Sequence, residues 1–488
     1  MKHKKIICTV LSVLMAGAVI TGCGKKDSGT ASKSDGKLKP YTIKFYQIGT
    51  PQKDTSDVIK AANKYLKKKI NATLDFQFID WGDYTSKMQV MINSGEKFDI
   101  AFTCSWANDY VSNAKKGAFL ALDDLMDKYG KDMKQVIDPK LLSSNKVNGK
   151  LYAVPANKEI AQQRVFRFND KYVQKYHIDI SKLNTYESLE PVLKKIHAAE
   201  PDMKSVYRAE SSPVELNLDE LSGTSAIDMD IDAKDNKFKN FFEFDKTKNF
   251  LKLMRKYYKA GYIRSDAVAA SKNGTDCDKT GNWFVDTSTT QPYADKLWSA
   301  SFGYKVDTVG IGTPVINNSS VSGSMLGISV TAEDPDRDMM FLNLLNTDKY
   351  LRNLLNYGIE GKHYTKNSDG TISITSEGTK NYSVPGYAFG NLFNTYLTKG
   401  TPKDKWQKFK EFNESAISAP TLGFSFDQTP VKTELASLAN IMDEYRTPLV
   451  TGSVDPDQYT KKAVDKLKAA GIDKVIAEAQ KQFDAWKK

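Results

Sequence analysis

One stretch decides the fold of this chain. It begins Trp81-Gly82-Asp83-Tyr84, continues as Ser94-Gly95-Glu96-Lys97-Phe98-Asp99-Ile100-Ala101-Phe102, and closes with Leu122-Asp123-Asp124-Leu125. Apolar side chains at Tyr84, Met88, Met91 and Ile92 recur at helical spacing, which predicts a helix that Asp83 caps and Gly95 ends. Phe98 to Phe102 is an apolar run of buried-strand length. The order predicted here is helix, turn, strand, helix.

The loop after this predicted strand is the first place to look for a binding site. Ligands of open α/β sheets bind at the carboxyl ends of the strands. The loop offers a large aromatic ring together with small polar and carboxylate side chains. We therefore predict ligand contacts from Thr103, Ser105, Trp106 and Asp109.

The residues on either side of the stretch extend the pattern. Tyr41 to Gln47 reads as a strand, Thr55 to Leu66 as a helix, and Leu74 to Phe78 alternates as a second strand. This order of elements is typical of a parallel sheet flanked by helices. Further on, the alternation from Ser225 to Phe244 predicts a hairpin.

The N-terminus has the features of a lipoprotein signal. A basic start and an apolar run from Ile6 to Ile20 precede Ile20-Thr21-Gly22-Cys23, which has the form of a lipobox. We predict cleavage after Gly22 and a diacylglycerol on Cys23, with an ordinary secretory signal as the alternative. Residues 23–40 are polar and predict a flexible tether. Two acyl chains suffice for stable membrane anchoring.

Composition narrows the function classes. The formal charge is +11, but lysines and acids are interspersed, which favours a solvated surface over nucleic-acid binding. Cys104 and Cys277 could pair in an oxidising compartment, although two buried free thiols are the favoured prediction. The sequence contains no paired-cysteine metal motif, P-loop or His-Glu-x-x-His helix, so neither a metal nor a cofactor is predicted.

Several ordered motifs carry a family resemblance. The tryptophan at 81, Asp83-Tyr84, Ser94-Gly95-Glu96, Phe98-Asp99-Ile100 and the Leu122–Leu125 run resemble the extracellular solute-binding proteins of ABC importers, family one, which include maltose- and oligosaccharide-binding proteins. From about residue 350, the chain resembles the C-terminal domain of unknown function found in a Gram-positive lipoprotein subgroup. The motifs there are Tyr357–Tyr364, Gly423–Asp427 and Ala469–Asp473.

The resemblance implies an α/β fold of the two-lobed, periplasmic-binding-protein-like (Venus flytrap) type, with a sheet flanked by helices in each lobe and three crossings between lobes. The first crossing is expected at about Ala156–Ile160, the second near Val306–Ile311, and the third near the helix that starts at Asp334-Pro335. The expected division is signal peptide 1–22, tether 23–40, N-terminal lobe 41–157 plus 311–342, and C-terminal lobe 158–310 plus 343–488, of which 350–488 is the subgroup-specific domain.

Two motif sets point to other chemistry and are weaker. Ser112-x-x-Lys115, Ser143-Ser144-Asn145 and Lys279-Thr280-Gly281 follow the order of a penicillin-binding enzyme, but Ser112 lies late in its predicted helix and Lys279 lies in a polar turn. Asp228-x-Asp230-x-Asp232 resembles the start of a calcium loop. It has Ala233 where glycine is needed and Lys239 where glutamate is needed. The solvent face of a hairpin is the favoured interpretation.

Aromatic and polar residues at predicted strand ends and turns complete the candidate site. A sugar ring has an apolar C–H face and a rim of hydroxyls, which suits a stacked aromatic ring beside planar hydrogen-bonding groups. Ordinary packing is the competing explanation for each aromatic. Besides the loop already named, the candidates are Gln47, Thr50, Glu159, Trp283, Tyr293, Trp298, Glu360, His363, Tyr364 and Tyr387.

The resemblance implies a binding protein without a catalytic residue. It would be anchored by lipid to the outer face of the cell membrane and would act as a monomer. It would deliver a carbohydrate, expected to be an oligosaccharide, to the transmembrane subunits and ATPase of an ABC permease. The alternatives are a surface enzyme acting on glycans and a ligand sensor or adhesin on the same scaffold.

Overall fold

The computed structural model describes residues 38–211, 214–221, 224–273 and 277–488. The predicted signal peptide, Cys23 and nearly all of the predicted tether lie outside these residues. The strands are β1 (Tyr41–Ile48), β2 (Ala72–Ile79), β3 (Ile100–Thr103), β4 (Lys146–Val147), β5 (Lys150–Leu151), β6 (Ala153–Pro155), β7 (Gln162–Asn169), β8 (Ser205–Tyr207), β9 (Leu218–Glu220), β10 (Ile227–Asp230), β11 (Phe238–Asn240), β12 (Trp283–Thr290), β13 (Val306–Ile316), β14 (Met325–Ile328), β15 (Tyr364–Lys366), β16 (Ile372–Ile374) and β17 (Ile417–Ser418).

Helices separate these strands and follow the last of them. They are α1 (Thr55–Ile70), α2 (Tyr84–Ser94), α3 (Tyr110–Lys115), α4 (Asp123–Tyr129), α5 (Lys131–Val136), α6 (Pro139–Ser144), α7 (Asp170–Lys175), α8 (Glu190–Ala199), α9 (Asp245–Lys259), α10 (Ala267–Asn273), α11 (Cys277–Thr280), α12 (Ala294–Phe302), α13 (Asn318–Val321), α14 (Pro335–Thr347), α15 (Lys349–Tyr357), α16 (Ser376–Asn381), α17 (Lys405–Ser415), α18 (Lys432–Val450), α19 (Pro456–Ala469) and α20 (Ile472–Trp486).

The stretch from Trp81 to Leu125 folds as predicted. It forms α2, then a turn, then β3, and further helices follow. Gly95 ends α2 in the left-handed region, at φ 69°, where a residue without a Cβ is favoured. Asp83 occupies the position before the helix, but its side chain makes no capping hydrogen bond.

The first sheet has the order β2-β1-β3-β14-β6. Strands β1, β2 and β3 are parallel, with Tyr41 opposite Ala72 and Phe45 opposite Ile100. Strand β14 returns antiparallel to β3, and β6 pairs antiparallel to β14. The parallel strands are buried because helices cover their faces, as the alternating order of elements predicted.

The second sheet has the order β17-β13-β7-β12-β8. Strand β7 is its centre and pairs antiparallel with both β12 and β13. Each sheet has its own hydrophobic core, one built around β1–β3 and the other around β7, β12 and the helices α9 and α18 to α20. The prediction of a two-lobed α/β fold, with a sheet flanked by helices in each lobe, is confirmed, and a smaller sheet of order β11-β10-β9 is added to it.

The chain passes between the two sheets three times. The first passage lies between β6 and β7, at 156–161, where the sequence predicted it. The second lies between β13 and β14, at 317–324, because Val306–Ile311 belongs to a long strand of the second sheet. Buried residues from Leu351 to Phe389 still pack in the first core, so the third passage follows α17. The third passage therefore lies later than expected, and residues 343–416, expected in the second lobe, precede it.

The predicted hairpin near residue 230 is present, with β10 antiparallel to β11. Cys104 and Cys277 are both buried and are not joined to each other by a disulfide, in agreement with the favoured prediction. Among the helices of the described residues, none combines the length and apolar character of a membrane span.

Candidate functional site

A cavity of about 490 Å³ joins the two lobes. Ser105 and Trp106 line it from the loop that follows β3 of the first lobe. The second lobe supplies most of the remaining lining from the start of β7, the end of β13, the strands β9 and β10, and α18. Those residues are Gln162, Gln163, Arg164, Val214, Glu215, Leu216, Leu218, Asp219, Glu220, Asp228, Ile231, Phe241, Thr313, Val315 and Arg446, and the passage between β13 and β14 adds Asn317, Asn318 and Ser319.

A second depression, of about 800 Å³, is larger but more open. It runs between α1 and β2 and belongs to the first lobe alone, with Lys60, Lys64 and Lys67 along one side. Ligand sites of two-lobed folds lie where both lobes can contact the ligand. We therefore assign the candidate site to the smaller cavity.

Trp106 is the aromatic anchor on the first-lobe side. Its side chain is 52% exposed. The indole Nε1–H donates to the Gly323 carbonyl over 2.9 Å, and the ring stacks on Trp81 with centroids 6.0 Å apart and planes at 22°. One edge of the ring is thereby fixed while a face stays open. Such an aromatic is pre-organised to stack on a flat, partly apolar ligand.

The second-lobe wall is rich in carboxylates. Burial raises the pKa of Glu215 and of Asp219 above their usual range. Burial, followed by the charge of Glu220, raises the pKa of Asp228 to about 7. Asp228 is only 5% exposed, so the earlier assignment of this hairpin position to a solvent face is wrong.

The acidic hairpin residues do not form a calcium loop. Lys246 Nζ lies 2.6 Å from Asp230 Oδ1 and 3.1 Å from Asp232 Oδ2, so an ammonium group neutralises this pair. Within the described part of the chain, no group of three or more His, Cys, Asp or Glu side chains is arranged to hold a metal ion.

Two asparagines tie the passages between the lobes together beside the cavity. Asn413 Oδ1 accepts the N–H groups of Ile160 and Ala161 at 2.8 and 3.1 Å, and its Nδ2 donates to the Lys158 carbonyl. Asn318 donates to the Thr421 carbonyl at 2.8 Å and accepts from the Gly423 N–H at 2.8 Å. The backbone at each passage is therefore held by side chains rather than by sheet ladders alone.

The structure brings some predicted site residues to the cavity and others elsewhere. Ser105 and Trp106 line the cavity. Asp109 is next to them in sequence, but its carboxylate accepts from the Ser112 N–H at 2.7 Å and so caps α3. Thr103 is buried and donates to the Asn108 carbonyl. Gln47 is also fully buried, and its Oε1 has no hydrogen-bond partner among the described residues.

The candidates Trp283, His363 and Tyr364 lie in the interior. Trp283 donates to Tyr304 Oη over 2.8 Å. His363 Nδ1 accepts from the Ile359 N–H, so Nε2 holds the proton and donates to Asp54. Tyr364 is 5% exposed and packs against other tyrosines. These side chains stabilise the fold and do not line the cavity.

The remaining candidates lie outside the cavity lining, in polar or partly open places. Glu159 is half-buried at the first passage, 3.9 Å from Lys158, and its buried Oε2 has no partner among the described residues. The Tyr293 hydroxyl donates to Asp404 over 2.6 Å, which raises its pKa to about 12. Trp298 lies 5.1 Å under the Arg167 guanidinium. Thr50, Tyr387 and Glu360 are exposed, and Glu360 pairs with Lys366.

Sequence reasoning missed the whole second-lobe side of the cavity. Its residues come from strands and loops separated in the chain, including the long strands β7 and β13, and only Asp228 had been considered as a ligand-binding position, in the calcium-loop motif. Trp81 was noticed as a motif residue but not as a site residue. A polar pair directly after a long strand, Asn317-Asn318, is a signal that could have been used.

Comparisons with known proteins identify the family and the fold. Residues 60–358 match the family model described as bacterial extracellular solute-binding protein, and residues 420–488 match a domain of unknown function (DUF3502). The chain is 34% identical to a carbohydrate ABC transporter substrate-binding protein of Streptococcus pneumoniae, with 99% of both chains covered. It is 23% identical to the polygalacturonan/rhamnogalacturonan-binding protein YtcQ of Bacillus subtilis, again over 99% of both.

Solved structures give the same result. The N-glycan transport solute-binding protein NgtS of Streptococcus pneumoniae matches with a TM-score of 0.83 at 34% identity, over 92% of this chain and 99% of that one. Its complexes with Man1GlcNAc and Man5GlcNAc match at the same identity with TM-scores of 0.72 and 0.68.

Proposed function

Because the chain belongs to the family of bacterial extracellular solute-binding proteins, we propose that it captures an oligosaccharide outside the cell and delivers it to an ABC import permease. The observation that carries this proposal is the cavity between the lobes. An exposed indole faces it from one side, and amide, hydroxyl and carboxylate groups face it from the other. This combination suits the apolar face and the hydroxyl rim of a sugar ring.

Capture would proceed by closure of the two lobes. The similarity to NgtS supports this, since this chain matches one NgtS structure with a TM-score of 0.83 and the complexes with Man1GlcNAc and Man5GlcNAc with 0.72 and 0.68. Sequence identity is the same in all three matches, so the difference lies in conformation. A ligand that contacts both lobes stabilises the closed form, and the permease would read that closure.

The division into lobes follows the packing of the cores. We propose a first lobe of about 40–157 with 321–416, and a second lobe of about 158–316 with 417–488. The subgroup-specific C-terminal residues would then fall into two parts. Residues 350–416 support the first core, and the helices α18 to α20 support the second.

Membrane attachment would come from the N-terminus. The lipobox sequence that ends at Cys23 supports cleavage and lipidation, which would hold the protein on the outer face of the membrane near its permease. The protein would act as a monomer and would carry out no chemical step.

Incubation with glycan pools tests the proposal. A ligand present at 100 times its dissociation constant should raise the free energy of unfolding by about 2.7 kcal/mol, which a thermal-shift screen detects. Small-angle scattering with the bound glycan should show a smaller radius of gyration. Recovery of unchanged glycan supports a binding protein, whereas shortened products would indicate a glycan-active enzyme. No shift with any pool would refute the proposal.

A further inference from the structure

The cavity wall holds more negative than positive groups. Glu215, Asp219, Glu220 and Asp228 line it, against Arg164 and Arg446. This is the reverse of the whole chain, whose formal charge is +11. The charge of the cavity is therefore a local feature that the overall composition does not reveal.

Both arginines already have partners in the protein. Arg164 Nε lies 3.6 Å from Glu215 Oε2. Arg446 lies with its guanidinium 4.9 Å from the Phe241 ring centroid and donates to the Ser225 carbonyl at 3.5 Å. Asp219 accepts from the Thr421 N–H at 2.9 Å. With Arg164 paired to Glu215, the carboxylates of Asp219, Glu220 and Asp228 face one arginine, Arg446, whose charge lowers the pKa of Asp228 against the larger effects of burial and Glu220.

Asp228 and Glu220 stand directly opposite each other in the antiparallel ladder of β10 and β9. Carboxylates in this register lie on the same face of the sheet, close enough to repel each other. Asp228 is 5% exposed, and its Oδ2 has no hydrogen-bond partner among the described residues. No ion pair joins either residue to another described side chain. A buried acceptor of this kind is costly unless something donates to it.

We propose, building on the proposed function, that the cavity selects an uncharged oligosaccharide, with Asp228 and Glu220 as the residues that determine this specificity. Sugar hydroxyls donate to the two carboxylates and relieve their repulsion. A uronic acid placed there adds a third carboxylate and offers one donor fewer. Like-charge juxtaposition of this kind costs several kcal/mol, which corresponds to at least about a hundredfold in affinity.

Asp228 also favours an uncharged ligand through its protonation. Burial and the charge of Glu220 raise its pKa to about 7, so near neutral pH the side chain exists in both forms. The ionised form accepts a hydrogen bond from a sugar hydroxyl group, and the protonated form can donate one to it. The negative form repels a carboxylate, and the protonated form still leaves Glu220 to do so.

The test uses calorimetry on the full-length protein in detergent with two probe pools of equal chain length. One pool contains uncharged manno-, gluco- and galacto-oligosaccharides, and the other contains oligogalacturonates. We expect binding from the uncharged pool at least about a hundredfold tighter. In Glu220→Gln, and more so in the double variant with Asp228→Asn, uncharged ligands should bind about tenfold more weakly and the preference over uronates should shrink. Glu187→Gln, an exposed carboxylate of the second lobe, is the matched control and should change neither.

The outcomes distinguish a failure of the proposed specificity from a failure of the proposed function. Binding of oligogalacturonates as tightly as of uncharged pools would overturn this inference and leave carbohydrate capture standing. An affinity ratio between the two pools that is unchanged in Glu220→Gln and in the double variant would also overturn this inference and leave carbohydrate capture standing. An absence of binding from both pools would overturn capture and specificity together. Because Glu220 is exposed, Glu220→Gln keeps the fold and supplies the answer even if Asp228→Asn unfolds the protein.

Discussion

Replacement of Trp106 by alanine should remove the main aromatic contact of the site. About half of this side chain is exposed. A tryptophan can bury 150–250 Å², so roughly 80–130 Å² remains for a ligand. If a sugar face covers about 80 Å² of it, about 25 cal/mol per Å² gives about 2 kcal/mol. Trp106→Ala should therefore weaken glycan binding about thirtyfold.

The fold should survive this change. The stack on Trp81 contributes about 0.5–1.5 kcal/mol, which is small against a typical free energy of unfolding of 5–15 kcal/mol. The matched control is Trp486→Ala. Trp486 is 45% exposed, packs on Phe424 and Phe483, and does not line the cavity.

Calorimetry with the tightest-binding glycan of the thermal-shift screen measures the effect, and circular dichroism checks the fold. The control should bind like the unchanged protein. An unchanged affinity of the folded Trp106→Ala variant would refute the assignment of Trp106 to the ligand site. The stack on Trp81 and the hydrogen bond to the Gly323 carbonyl would then be packing features.

Three further predictions test other parts of the structure. Burial and the charges of Asp99 and Asp334 raise the pKa of Asp338 to about 9, whereas the pKa in an unfolded chain is about 3.9. Between these two values the native state binds more protons than the unfolded state. The free energy of unfolding should therefore fall as pH rises from about 4 to about 9, by at most about 1.4 kcal/mol per pH unit. Asp338→Asn should flatten this slope in thermal melts, and an unchanged slope would contradict it. Asn413→Ala should lower the free energy of unfolding by about 2–3 kcal/mol through three lost hydrogen bonds, whereas Gln407→Ala on the exposed face of the same helix should not. Equal denaturant midpoints for the two variants would show that Asn413 does not hold the first passage. Cys23→Ala should release the protein into the medium or leave it unprocessed, and mature-sized protein in the membrane fraction would exclude lipidation at this residue.

The part of the first lobe from β1 to β3 could be predicted almost completely from sequence. Helix α2, its end at Gly95 and the strand after it depend on local periodicity and on one residue with positive φ. Such signals act over a few residues and need no knowledge of the rest of the chain. The position of the first passage followed from the family resemblance. The two later passages did not, because strand β13 and the packing of α15 are decided by distant partners.

The site divides in the same way. Trp106 could be predicted because it follows a parallel strand, and in such sheets topology places strand ends at the ligand. Trp283, His363 and Tyr364 could not be told from site residues by sequence, since an aromatic ring has the same signature whether it packs inside or faces a cavity. The burial that distinguishes them is a property of the assembled core.

What the sequence determined by itself was the alternation of strands and helices and the family, and it carries the motif at 20–23 on which the lipidation proposal depends. Each of these depends on residues that are close together in the chain. The tertiary structure alone decided that Asp228 and Glu220 face each other in one cavity wall with Arg164 and Arg446 already engaged. Charge in a site depends on which groups meet across strands and on which are shielded from water, and neither follows from the order of residues along the chain.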